Sequence, residues 1–272
     1  MELLSFTRIS SGFKISLCLP DILYLCDLVV VLIIDRERMS KSILVTGGTK
    51  GIGKAILHRF MAEGYDAFTC SRNQSELEEM KEEVESTYSG RKLFIKQADF
   101  SVKEEVLAFA DFVKEKDVPD VLVNNTGIFL PGAIHSEPEG NFEQMMEVNL
   151  YSAYHLTRAF TDEFIRRKSG HIFTLGSIAG MTAYPNGGSY AISKWALRGF
   201  TQCLRQELKE YGIKVTSILA GATFTASWEG VNLPEDRFMK AADVAASVWA
   251  ASQLSPNSVV EEIVVRPQLG DL

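Results

Sequence analysis

The stretch Ser42-Ile43-Leu44-Val45-Thr46-Gly47-Gly48-Thr49-Lys50-Gly51-Ile52-Gly53 decides the fold. Its first five residues are a short apolar run that breaks off at glycines, the pattern of a strand buried on both faces. An amphipathic stretch, Ile52–Glu63, follows and is stopped by Gly64. A glycine turn between a strand and a helix lets the backbone approach a pyrophosphate, and the helix N-terminus supplies amide donors and partial positive charge. Gly53 leaves no side chain where helix and sheet must meet closely. The same string alone would also make a plain strand-to-helix turn, so its weight depends on what surrounds it.

Working outward, strand and helix patterns alternate to the end of the chain. Strands are expected at Asp66–Ser71, Leu93–Gln97, Val121–Asn124, His171–Leu175, Lys214–Leu219 and Val259–Val265. Helices are expected at Glu76–Ser86, Val102–Lys116, Phe142–Arg167, Tyr190–Tyr211 and Ala241–Ala251. Repeated β-α units require parallel strands and right-handed crossovers. The expectation is an α/β fold: a Rossmann-type, doubly wound, seven-stranded parallel sheet with helices on both faces. It forms a single domain over residues 39–272. In such sheets ligands bind beyond the carboxyl ends of the strands.

The end of the second strand reads Cys70-Ser71-Arg72-Asn73. An NAD-specific site places an acidic residue here for the ribose 2′-hydroxyl, and none is present. Arg72 can pair with a 2′-phosphate through its planar fork. Lys50 can reach the same phosphate from the glycine turn, and Ser71 adds a hydroxyl. The pattern predicts NADP(H) rather than NAD(H); the competing reading is two solvated surface cations. The expected dinucleotide site comprises Gly47, Thr49, Lys50, Gly51, Ile52, Gly53, Ser71 and Arg72. Asp99, after the third strand, either accepts from the adenine amino group or caps the next helix. Asn125, Thr126 and Gly127, after the fourth strand, are placed to fix neighbouring loops and the cofactor ribose.

Tyr190 and Lys194 are four residues apart, on one face of a helix. A neighbouring ammonium favours a phenolate, and bringing a tyrosine from about 10 to about 7 requires roughly 4 kcal/mol. As a string the pair is a weak signal. Ser177, just past the fifth strand, adds a hydroxyl for a substrate oxygen. Asn149 adds an amide that either holds a proton-relaying water near Lys194 or is an ordinary helix-face amide.

Together, the Thr46–Gly53 turn, Asn124-Asn125-x-Gly127, Asn149, Ser177, Tyr190 and Lys194 resemble the short-chain dehydrogenase/reductase family from Met39 to Leu272, in order and spacing. Thr126 and Ala220 depart from its usual Ala and Pro. The resemblance implies reduction of a ketone or other carbonyl to a secondary alcohol. Asn149, Ser177, Tyr190 and Lys194 would be catalytic. Tyr190 would donate the proton, and Lys194 would bind the nicotinamide ribose and depress the Tyr190 pKa. Gly221, Thr223 and Thr225 would lie against the nicotinamide. It also implies a homodimer or homotetramer, built on the long helices Phe142–Arg167 and Tyr190–Tyr211. The stretch Gly221–Lys240, with Phe224, Trp228, Val231, Leu233, Phe238 and Met239, is either an apolar lid or ordinary loop packing. The substrate class is that of 3-oxoacyl-carrier-protein reductases or general carbonyl reductases. The C-terminal tail and Thr225–Trp228 resemble sepiapterin reductase-like members. A non-catalytic NADPH-binding sensor is the alternative from another class; intact reacting residues argue against it.

Composition bounds the rest. The 272 residues are 46% hydrophobic and 23% charged, ordinary for a globular protein, with net charge −7. No basic stripe marks a nucleic-acid surface. The cysteines Cys18, Cys26, Cys70 and Cys203 form no paired or metal-type spacing, which suits reduced thiols in a cytoplasmic protein. His58, His135, His155 and His171 are scattered, as surface or packing residues rather than metal ligands; no metal is expected. Residues 1–38 stand apart. Ile15–Ile34 has the length of a membrane span, but Pro20, Asp21 and Asp27 interrupt it, and an Asp near mid-span costs about 2.5–3.5 kcal/mol. Three readings are open for this segment: an extension upstream of a start at Met39, a membrane anchor, or an extra packed element.

Overall fold

In the computed structural model, residues 40–225 and 233–271 are described. Seven parallel strands form one sheet in the order β3-β2-β1-β4-β5-β6-β7. They are β1 (Ser42–Thr46), β2 (Asp66–Ser71), β3 (Leu93–Gln97), β4 (Val121–Asn124), β5 (Gly170–Ser177), β6 (Ile213–Ala220) and β7 (Glu262–Val265). The helices are α1 (Gly51–Ala62), α2 (Gln74–Thr87), α3 (Lys103–Lys114), α4 (Asn141–Met146), α5 (Ser152–Arg167), α6 (Gly188–Leu208) and α7 (Ala241–Ser252). The expected doubly wound sheet is present.

The alternation of strand side chains divides the core. Ile43 and Val45 of β1 pack with Ile56, Leu57 and Phe60 of α1 and with Val244 and Val248 of α7. Leu44, between them, points to the other face. There it joins Phe109 of α3, Phe160 and Phe164 of α5, and Leu204 of α6. Full burial of such side chains contributes roughly 1.5–3 kcal/mol each, which fixes the strand register strongly.

Helix ends and the ends of β5 and β6 shift by one to three residues from the sequence expectation, β5 running on to Ser177 rather than ending at Leu175, and two further elements also differ. The helix expected over Phe142–Arg167 is interrupted by a π turn at Glu147–Tyr151, between α4 and α5. The last strand begins at Glu262 rather than Val259, because ladder pairing with β6 starts at Ser217 opposite Glu262. Successive crossovers run one way from β1 to β3 and the other way from β4 onward. The carboxyl ends of β1 and β4, which pair directly, therefore form the switch point where such folds place their ligand. None of the described helices is long and apolar enough to cross a membrane. Residues 1–38, Trp228 and Val231 lie outside the described residues.

Candidate active site

Two threonines brace the glycine turn. The Thr46 hydroxyl, at the end of β1, accepts the backbone N–H groups of Asn125 and Thr126, both at 2.9 Å. Thr69 of β2 donates to the Val45 carbonyl at 2.7 Å and accepts the Gly48 N–H at 3.0 Å. Asn125 completes the stitch, donating from Nδ2 to the carbonyls of Thr46 (2.8 Å) and Gly47 (3.1 Å). Each buried N–H left without such a partner would cost about 1–3 kcal/mol. A Cβ at Gly53 would lie 2.4 Å from the Gly47 carbonyl oxygen and 2.5 Å from Asn125 Nδ2, so only glycine lets α1 start this close to the turn.

A cleft of about 460 Å³ opens above these strand ends. It is lined by Gly47, Thr49, Lys50, Gly51, Ile52, Gly53, Ser71, Arg72, Asp99, Asn125, Thr126, Gly127 and Thr225, all expected from the sequence. Its glycine floor, the α1 N-terminus and the basic residues at one end fit a dinucleotide. Gly221 and Thr223 do not line it. The Gly221 N–H is bonded to the Val265 carbonyl at 2.8 Å, and the Thr223 hydroxyl donates to the Gly221 carbonyl at 3.1 Å. Asp99 does not cap the following helix, whose N-cap is Val102; its Oδ1 accepts the backbone N–H and the hydroxyl of Ser101 in the turn before it. Burial works against its charge, but those two bonds and the nearby Arg72 outweigh it and hold the carboxyl below its usual range.

Two features of the basic end were not read from the sequence. Glu76, in the first turn of α2, reaches back to Lys50 with Nζ 2.8 Å from Oε1. Its other oxygen accepts from the Thr49 hydroxyl at 3.2 Å. The acid missing from the end of β2 thus arrives from the helix that follows it.

The reacting groups gather on the other side of Gly127. A Cβ there would lie 3.2 Å from both Asn149 Oδ1 and Lys194 Nζ. Lys194 is 5% exposed and donates to the Leu175 carbonyl at 3.1 Å. Burial pushes its pKa down to about 8. Tyr190 lies one helical turn earlier, with the Lys194 ammonium 5.6 Å from its ring centroid. Ser177, the last residue of β5, is within hydrogen-bond reach of Tyr190 and accepts the Ala179 N–H at 3.1 Å. Phe129 sets its edge against the Tyr190 ring, with centroids 4.9 Å apart.

Burial drives the Tyr190 phenol up to about 12, against the opposing Ser177 hydrogen bond, and Tyr184 raises it further. Both N–H groups of the Asn149 side chain are engaged within the chain. Its Oδ1 accepts the Ile128 N–H at 2.7 Å, and its Nδ2 donates to the Ile128 carbonyl (3.0 Å) and to Ser193 Oγ (2.9 Å). The residue clamps the loop after β4 to α6, and the π turn aims it there. Elsewhere, the described thiols are the buried Cys70, pushed up to about 12, and the exposed Cys203.

A nucleotide-sized cleft at the switch point, with a serine, a tyrosine and a buried lysine gathered across Gly127 from it, defines an oxidoreductase of the dinucleotide-dependent kind. The family described as short chain dehydrogenase matches residues 41–236. The sepiapterin reductase of Chlorobaculum tepidum is 31% identical over 243 residues, 86% of this chain and 99% of that protein. The NADP-dependent 3-hydroxy acid dehydrogenase of Escherichia coli K12 is 30% identical over 240 residues, 83% of this chain and 94% of that one. An alcohol dehydrogenase from the archaeon Thermococcus sibiricus, solved with 5-hydroxy-NADP, aligns at a TM-score of 0.79 and 25% identity. That alignment covers 86% of this chain and 99% of the archaeal one. The chain belongs to the short-chain dehydrogenase/reductase family.

Proposed function

We propose that this oxidoreductase uses NADPH to reduce a ketone or related carbonyl to a secondary alcohol, within a catalytic unit spanning residues 39–272. The observation that carries the reading is the junction at Gly127, where the nucleotide cleft meets Asn149 and Lys194 at contact distance. NADPH, when bound, supplies hydride to the carbonyl carbon. The chain supplies everything else. Ser177 and Tyr190 donate hydrogen bonds to the carbonyl oxygen and stabilise charge as it develops. A phenol held near 12 stays protonated at neutral pH, as a proton donor must. Its proton passes from Oη to the alkoxide oxygen. Lys194 holds the nicotinamide ribose beside Tyr190, and Asn149 fixes the loop that carries Gly127. Lys50 and Arg72 take the 2′-phosphate, and Thr225 closes the cleft near Gly51.

A ketone panel with NADPH oxidation as the readout tests the assignment, run on the full chain and on residues 39–272. Tyr190→Phe should lose at least about a thousandfold in kcat while still binding NADPH, in line with removal of an acid catalyst that also stabilises the oxyanion. Wild-type turnover in that variant, or loss of activity in the 39–272 chain, would sink the corresponding part. A small-ketone substrate of the sepiapterin type is the second reading, favoured by the match along 99% of the Chlorobaculum protein. We also infer a homo-oligomer, because Tyr151, Tyr154, Ile192 and Trp195 leave an apolar face exposed around α5 and α6.

A further inference from the structure

We propose that Glu76 sets the choice between NADPH and NADH, by occupying the place that a 2′-phosphate needs. The inference rests on the NADPH reading above and adds a residue that opposes it. Glu76 sits where α2 begins, beside the basic end of the cleft, and its two oxygens engage Lys50 and Thr49, which line that end. Oε1 is 2.8 Å from Lys50 Nζ and 3.0 Å from Asn73 Nδ2. Oε2 accepts from the Thr49 hydroxyl at 3.2 Å, and that hydroxyl is 3.4 Å from Ser71 Oγ. The hydrogen bond from Lys50 is the main cause holding the Glu76 carboxyl below its usual range, so the group stays ionised. Thr49, Lys50, Ser71 and Arg72 all line the nucleotide cleft.

A carboxylate among these donors acts as an internal anion. It keeps Lys50 and Thr49 ordered when no phosphate is present. It also imposes opposite demands on the two nucleotides. A ribose 2′-hydroxyl is a donor, and Glu76 can accept from it. A 2′-phosphate only accepts at neutral pH and repels the carboxylate, so it must draw Lys50 away. Arg72, which is exposed, is then the cation that meets the phosphate without first leaving Glu76. The chain therefore binds both nucleotides, with a narrower preference for NADPH than Lys50 and Arg72 alone would give.

Equilibrium titrations of NADPH and NADH by fluorescence, on wild type, Glu76→Gln and Glu76→Ala, test this without turnover. Both variants should bind NADPH about tenfold more tightly and NADH several-fold more weakly, the size expected from removing one carboxylate beside a phosphate. The NADPH-to-NADH affinity ratio should rise by more than about tenfold, and by a larger factor at low salt. A ratio within about twofold of wild type in both variants overturns the role of Glu76 and leaves the NADPH reading standing. Failure of the wild type to bind either nucleotide overturns both.

Discussion

Lys194 shows how a single residue acquires chemistry from its surroundings. An ammonium buried at 5% exposure, with one carbonyl in hydrogen-bond range among the described atoms, pays for lost hydration by titrating near 8 rather than 10.5. The sign for catalysis follows. Below about pH 8 Lys194 is charged, and Tyr190, near 12, remains a proton donor throughout. Reductive kcat/KM should therefore be level on the neutral side and fall as pH rises through about 8, where the lysine charge is lost. Arginine does not titrate there, so Lys194→Arg, if it turns over, should show no such limb; an unchanged limb would assign it to another group. The same residues mark what the sequence could and could not disclose. Tyr190, Lys194 and Ser177 were readable because motif spacing places them at a strand end and one helical turn apart. The direction of the Tyr190 shift was not, since spacing reports proximity and says nothing about burial. Glu76 escaped because the acid was sought at the end of β2, while a first-turn carboxylate on α2 reaches the same point in space.

At the scale of elements, β1 to β4 were legible to the residue, because short, largely apolar runs between turn residues mark them, whereas β7 was read three residues too long. The π turn at Glu147–Tyr151 was not legible, since one extra residue in a helical turn leaves no mark in apolar periodicity. Its effect is local and specific: it points Asn149 at Ile128 and Ser193 instead of solvent. The outer sides of the same helices carry a different message. Tyr154 of α5 packs its ring near Phe200 of α6, 5.7 Å between centroids, so the two helices present one continuous face. Trp195 is 48% exposed on it and Ile192 41%. A charge there cannot be buried cheaply against a second copy. Trp195→Glu should shift the sedimenting mass to that of a monomer without unfolding the chain; an oligomer that survives places the contact on another surface.

For the whole molecule, the parallel sheet decides where function is. Every strand carboxyl end lies on one edge, and the glycine turn, Asn125 and Ser177 all stand there. The opposite edge is given to packing, as with His171, buried beside Thr216 and held near 3 by desolvation. Within the sheet, one row has a reach beyond its neighbours. Ser177 pairs with Ala220, and Ala220 with Val265 of the final strand. At the start of that strand, Glu262 grips Arg198 of α6 through two bonds of 2.7 and 2.9 Å. The serine and the helix bearing Tyr190 and Lys194 are thus both moored to β7. A premature stop after Ser252 would spare every reacting side chain and still be expected to silence them. Nucleotide binding should suffer less, since its supports belong to β1, β2 and β4; equal loss of binding and turnover would show that the mooring is global. The chemistry of the site thus hangs on a strand that contributes no reacting side chain to it.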